Sequence, residues 1–222
     1  MKKAAAFILC IVTGLMLFAG CSGEGEESSF AQKSYTADAA QVQAVEINVI
    51  DRKIELEPSS DGQITVDYYE SDKEAYDIAV TEEGTLTISC KNSKEWSDYI
   101  GGKAAEEYRV IRLHVPEGAL ASLGITTTNE DVSLPAMTLQ DSLRVDVNNG
   151  NIDLERLDVG SAVSLTAKNG SVTGTVVGGY DDFTVTSDIK KGESNLPKQA
   201  GNGQKTLDVS VNNGDIELEF QK

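Results

Sequence analysis

From Leu123 onward, apolar and polar positions alternate in short runs broken by polar turns, and the whole pattern returns every 20 residues. Leu123, Leu143, Val163 and Phe183 each open one such unit, and a further unit opens at Leu207 after a four-residue insertion. Within LRVDVNNGNIDL, Leu143, Val145 and Val147 share one face, because side chains in a strand alternate sides with period two. The turn Asn148-Asn149-Gly150 redirects the chain, and Ile152 and Leu154 return to the same interior. Asn and Gly suit that corner because both tolerate the positive φ angles that bulkier residues resist. Asn169-Gly170 and Asn213-Gly214 hold the equivalent place, while Asn129-Glu130 keeps only the Asn. A fixed period of this size marks a stacked array in which no unit buries its apolar face alone.

Two architectures satisfy the pattern. A two-residue Asn-Gly link between alternating strands is a strong hairpin signal, so a meander would pair Val147 with Ile152 and Val145 with Leu154. In a β-solenoid, each coil instead stacks about 4.8 Å above the last and the corner asparagines, such as Asn149 and Asn169, line up as a hydrogen-bonded ladder. The constancy of the period favours the solenoid, since an inserted residue breaks stacking whereas a meander tolerates variable turns. Upstream, Val45, Ile47 and Val49, the turn Asp51-Arg52, then Ile54 and Leu56 repeat the unit, so the array starts at residue 45 and is interrupted. Ile64 to Tyr69, Ile78 to Val80, Leu86 to Ile88 and Tyr108 to Val115 read as short strands in the interruption. No amphipathic helix is evident, and Ser93 to Glu107 has room for one short turn. The expected fold is all-β: a single-domain β-solenoid of stacked coils over residues 42–222, with short capping strands and loops.

The N-terminus adds location. Lys2 and Lys3 precede an almost wholly apolar run from Ala4 to Ala19, which is short for a membrane span. Phe18, Ala19 and Gly20 then lead into Cys21, an arrangement that resembles the lipobox of bacterial lipoproteins, with Phe18 where leucine is usual. That resemblance implies a signal peptide over 1–20 and lipidation of Cys21; an uncleaved anchor helix is the alternative. Residues 21–41 then read as the lipidated cysteine and a flexible acidic stalk that spans roughly 70 Å at full stretch. Acyl chains bury about 0.8 kcal/mol per CH2, so two or three hold a protein firmly on a bilayer.

The chain carries 36 acidic and 19 basic residues, a formal charge of −17 that becomes −19 once the two leader lysines are removed. Such a charge argues against nucleic acid and anionic headgroups and favours cationic peptides, metal ions or positively charged wall polymers. It also serves solubility.

Little points to catalysis. Of three cysteines, Cys10 lies in the leader and Cys21 would carry lipid, which leaves Cys90 as a half-buried thiol with only Lys91 nearby. His114, the sole histidine, is expected to point outward beside Arg112 as a solvated side chain. No catalytic triad, zinc set or phosphate-cradling loop is present, so no catalytic, cofactor or metal residue is assigned. Asn149, Asn151 and Asp153, or Asn213, Asp215 and Glu217, offer oxygens suited to calcium, yet turn chemistry accounts for them. Trp96, with Tyr99 and Ile100 in Lys91 to Lys103, reads as a cap over a sheet end or as a recognition loop.

The corners NNGNID and NNGDIE and the segment RVIRLHVPEGALASLGI resemble, over about residues 42 to 220, the β-strand-repeat domains called putative adhesins or toastrack domains. The resemblance implies an extracytoplasmic binding or scaffolding protein without catalytic residues. Its partners would be the membrane, through the N-terminal lipid, and a cationic peptide, wall polymer or membrane signalling protein. An accessory role in envelope-stress sensing is the alternative.

Overall fold

The computed structural model describes residues 30–92 and 103–222. The first strands in chain order are β1 (Ala31–Asp38), β2 (Ala44–Asn48), β3 (Lys53–Ser59), β4 (Gln63–Glu70), β5 (Glu74–Val80), β6 (Thr85–Asn92) and β7 (Val110–Pro116). The repeat region supplies β8 (Ser122–Thr127), β9 (Val132–Leu134), β10 (Met137–Leu139), β11 (Ser142–Asn149), β12 (Ile152–Val159), β13 (Ala162–Asn169) and β14 (Val172–Val177). The chain closes with β15 (Phe183–Lys191), β16 (Gln199–Ala200), β17 (Lys205–Asn213) and β18 (Ile216–Gln221). The described residues contain no α-helix, only 3₁₀ turns at Ala39–Gln41 and Glu106–Arg109.

The strands form two nine-stranded sheets. Sheet A runs β1-β4-β7-β3-β9-β12-β14-β18, with β10 also on β12; sheet B runs β16-β15-β17-β13-β11-β8-β2-β6-β5. The two strands of each repeat therefore sit in opposite sheets, and β11 pairs with β8 and β13, not with β12. The hairpin meander is excluded by that pairing. In sheet B, Leu123, Leu143 and Val163 are register partners; in sheet A, Val132, Ile152 and Val172 are. The spacing is the 20 residues of the sequence period, and β2 joins the stack on β8 through Val45 and Leu123. Antiparallel strands (β1, β4, β5 and β16) make both sheets mixed, and neither sheet closes on itself.

Stacking in register puts like residues in rows, and the rows make the core between the sheets. Val45, Leu123, Leu143, Val163 and Leu207 are at most 1% exposed, as are Ile54, Val132, Ile152, Val172 and Ile216 opposite them. Each such side chain contributes about 1.5–3 kcal/mol by leaving water.

Three expectations need correction. Ala31–Asp38, assigned to the stalk for its polar composition, is a strand paired with β4 along its full length, so order begins before Val42. Phe183 is not the register partner of Val163: Leu207 pairs with Val163 on one side and with Val185 on the other. A slip of two residues preserves which side chains face inward, so Phe183 and Val185 are both buried and the alternation alone misses it. The rung order also departs from chain order, because β17 inserts between β13 and β15. The last repeat is thus the penultimate rung, and the chain doubles back through β16 to place it.

Candidate binding face and corner ladders

The corner asparagines stack as the repeat requires. Asn213 Nδ2 donates to Asn169 Oδ1 at 2.7 Å, Asn169 to Asn149 at 2.7 Å and Asn149 to Asn129 at 2.6 Å. Every amide donates toward the N-terminal end, and Asn129 passes the chain on to Asp51, which has only oxygens to offer and so terminates it. Burial pushes the Asp51 carboxyl up, but the hydrogen bond from Asn129 and the charge of Lys103, 3.6 Å away, hold it below its ordinary value. A second ladder runs beside the first through backbone donors: Asn151 N to Asp131, Ser171 N to Asn151, Asp215 N to Ser171 and Glu193 N to Asp215, at 2.7–3.0 Å. Between them the glycines lie so close that a Cβ on Gly170, at φ 149°, would sit 1.9 Å from the Gly150 carbonyl oxygen.

These ladders use the oxygens weighed for calcium. Asn149, Asn151 and Asp215 bond the neighbouring rung, and Asp153 accepts from Thr173 Oγ1 at 2.6 Å. Among the described residues no three His, Cys, Asp or Glu side chains gather as a metal set.

The first rung closes differently. Arg52 takes the place that glycine holds in later corners, and it is 3% exposed. Its guanidinium bonds Glu74 and the Tyr76 hydroxyl, both nearly buried, and donates to the Asp51 carbonyl at 3.0 Å. Burial works against the Arg52 charge, and Tyr76 with Glu74 outweighs it. Thr127, the one polar residue in its core row, donates to the Arg52 carbonyl at 2.7 Å. Cys90 lies alongside, half-buried, with its thiol pushed up by burial and therefore kept protonated. No sequence signal marked this cluster, since Arg52 reads as a turn residue and Glu74 as a surface one.

The outer face of sheet A changes character along the stack. Near the N-terminal end its charges are paired: Lys53 and Arg112 reach Glu55 at 2.9 and 3.0 Å. His114 points outward beside Arg112, as expected, but stands between Asp67 at 3.1 Å and Glu57 at 3.5 Å, not free in solvent. Further on, Asp153 and Glu155 of β12 and Glu217 and Glu219 of β18 are exposed on either side of Thr173 and Thr175 of β14. Among the described residues none of these four carboxylates has an ion-pair partner within 4.0 Å. Sheet B also presents carboxylates outward, mixed with hydroxyls: Thr126, Asp146, Thr166, Ser210 and Asp188 form one row. A cleft beside Pro58, Pro116, Pro135 and Met137 has about 70 Å³ of room, well short of the roughly 300–1,000 Å³ of small-molecule pockets. Cys21, Trp96, Tyr99 and Ile100 lie outside the described residues.

The molecule is thus an all-β protein of two facing sheets, with ladders at its corners and an open charged face. The chain belongs to the Toastrack DUF4097 family, whose model matches residues 42–188. Among solved structures it is similar to a putative cell adhesion protein from Clostridium sporogenes, at 13% identity and TM-score 0.55, covering 87% of this chain and 100% of that one. It also matches a putative adhesin from Bacteroides fragilis, at 12% identity and TM-score 0.31, with 87% and 100% covered; that likeness carries no weight for the fold. No curated protein matches the chain. No helix among the described residues is long and apolar enough to cross a membrane.

Proposed function

We propose that the protein is a non-catalytic, extracytoplasmic binding scaffold, tethered by lipid at Cys21, whose solenoid of stacked rungs presents an acidic wall to cationic partners. The observation that supports this reading is the row of Asp153, Glu155, Glu217 and Glu219, which form no ion pair among the described residues although Arg156 reaches Gln221 nearby, on strands braced by the corner ladders. β12 and β18 are two strand spacings apart, about 10 Å, which is close to the screening length of about 8 Å at physiological salt. Neighbouring carboxylates therefore reinforce one another weakly, and the attraction they offer is long-range, polyvalent and sensitive to salt. A cationic peptide or wall polymer with charges repeated along its length fits such a surface better than a compact ligand does. Net charge works in the same direction. The extracytoplasmic place is supported by the leader and Cys21, and by the putative cell-adhesion name of the Clostridium sporogenes structure that shares the fold.

Fractionation of cells that express the full chain or Cys21→Ser tests the tether. The full chain is expected in the membrane fraction with an acylated Cys21 as its mature N-terminus, and the variant outside that fraction. An unmodified Cys21 or a retained Met1 would defeat it. Titration of the domain with decalysine tests the wall: affinity is expected to fall at least tenfold between 50 and 300 mM salt. Binding that ignores salt would count against an electrostatic wall.

A further inference from the structure

We infer that β1 is a clasped, releasable strap that sets the length of the tether; this rests on the proposed Cys21 anchor for its role, though not for its mechanics. β1 is the edge of sheet A and pairs only with β4. None of its eight side chains is buried; only Tyr35 and Ala37 lean on the core. Behind it the core is already closed by β4, where Ile64 and Val66 are fully buried and Val66 sits opposite Leu113 of β7.

β1 is held by its backbone ladder, by Tyr35 and Ala37 against the core, by a 3.9 Å ion pair between Lys33 and Glu70, and by a clasp at its leading end. There the Phe30 ring stacks on Tyr108 at 4.9 Å, and Tyr108 meets Tyr69 edge-on at 5.4 Å. A pull from the N-terminal side enters at this clasp and then opens the β1–β4 pairs one after another from Ala31↔Glu70 toward Asp38↔Gln63. At the far end the turn is held by Ala40 N on Asp38 and by Ala39 N on the Gly62 carbonyl, so release ends there. With β1 docked, residues 22–30 span about 30 Å at most; freeing residues 31–38 adds about 27 Å. The reach of the domain from its anchor roughly doubles while the two sheets stay folded.

Hydrogen exchange read by mass spectrometry on the unlipidated chain from Ser22 tests this independently of the anchor. Amides of Gln32–Ala37 are expected to exchange at least tenfold faster than those of β3 and β7. Phe30→Ala, and separately Lys33→Glu, which turns the ion pair with Glu70 into a repulsion, should speed β1 exchange about tenfold further and leave β3, β7 and the melting temperature unmoved. A disulfide joining the register partners through Ser34→Cys and Asp67→Cys should abolish the difference. If β1 exchanges in step with β3 and β7, or if Phe30→Ala lowers protection throughout the domain, the strap is an integral strand and the inference fails. Failure of Cys21 acylation would leave these exchange results standing and remove only the tether role.

Discussion

Replacing Glu74 by alanine leaves the Arg52 guanidinium buried with its principal counter-charge gone. Arg52 and Glu74 are 3% and 7% exposed, and Tyr76, which shares the guanidinium, is 9% exposed. At that depth water cannot take the place of the lost carboxylate, and breaking a buried pair by removing one partner costs about 3–5 kcal/mol. For a domain of this size each kcal/mol lowers the melting temperature by about 2–4 °C, so Glu74→Ala should melt roughly 6–20 °C lower. Replacing the whole constellation is a different matter. Arg52→Met with Glu74→Met and Tyr76→Phe removes both charges and the hydroxyl together, and buried ion pairs exchanged for apolar residues are often neutral or stabilising. The triple variant should lie within about 2 kcal/mol of the parent, the remainder being the bonds from Arg52 to the Ile50 and Asp51 carbonyls. Urea and thermal unfolding followed by circular dichroism give both values. Because the pair is buried, the loss in Glu74→Ala should persist in 0.5 M salt. A single-variant loss under about 1 kcal/mol would show that water reaches the pair. A triple variant as unstable as Glu74→Ala would show that packing and not charge sets the cost.

Other perturbations probe the ladders and the titrating groups. Asn169→Ala removes the bonds to Asn149 and from Asn213, both exposed to compensating water, and should cost about 1–2 kcal/mol by urea unfolding. Gly170→Ala forces a Cβ onto the Gly150 carbonyl at a φ that side chains resist, and should cost more than about 4 kcal/mol or prevent folding altogether. Asp51 and Glu55 are held below their ordinary values of 3.8 and 4.5, so their contribution is present above those values and lost as pH falls through the lower folded ones. Burial raises Tyr76 and Cys90 above 10.0 and 9.0, so their contribution is intact below those values and lost as pH rises beyond them. Urea midpoints should therefore form a plateau between about pH 5 and pH 9, and a midpoint that climbs above pH 9 would reverse the assigned sign.

Much of the architecture was legible because stacking imposes a strict period. Leu143, Val145 and Val147 face inward and Asn149 meets Asn169 since a rung that stacks on its neighbour must match it in length. The place of β2 was legible for the same reason: Val45 to Leu56 carries the repeat although 65 residues intervene before β8 resumes it. What escaped reading is what the period does not encode. Phe183 and Val185 both satisfy the alternation, so sequence could not choose between registers two residues apart. The order in which rungs stack is not encoded by the period either, and β17 lies between β13 and β15. β1 escaped because an edge strand with no buried side chain needs no hydrophobic signal, only a neighbour with free backbone groups. Arg52 and Glu74 escaped because burial of a charge depends on a partner 22 residues away. On the acidic face, sequence supplied the charge, but only the pairing separates Asp153, Glu155, Glu217 and Glu219, which have no ion pair among the described residues, from Glu55, which pairs with Lys53 and Arg112.

In the proposed function a particular face, and not net charge alone, binds cationic partners. Two variants of equal charge separate these. One neutralises the wall through Asp153→Asn, Glu155→Gln, Glu217→Gln and Glu219→Gln; the other neutralises sheet B through Glu46→Gln, Asp146→Asn, Asp188→Asn and Asp208→Asn. Calorimetric titration with decalysine at 100 mM salt should show the first variant binding at least tenfold more weakly than the parent and the second within about threefold of it. Equal loss in both variants, or no loss in the first, would contradict the account.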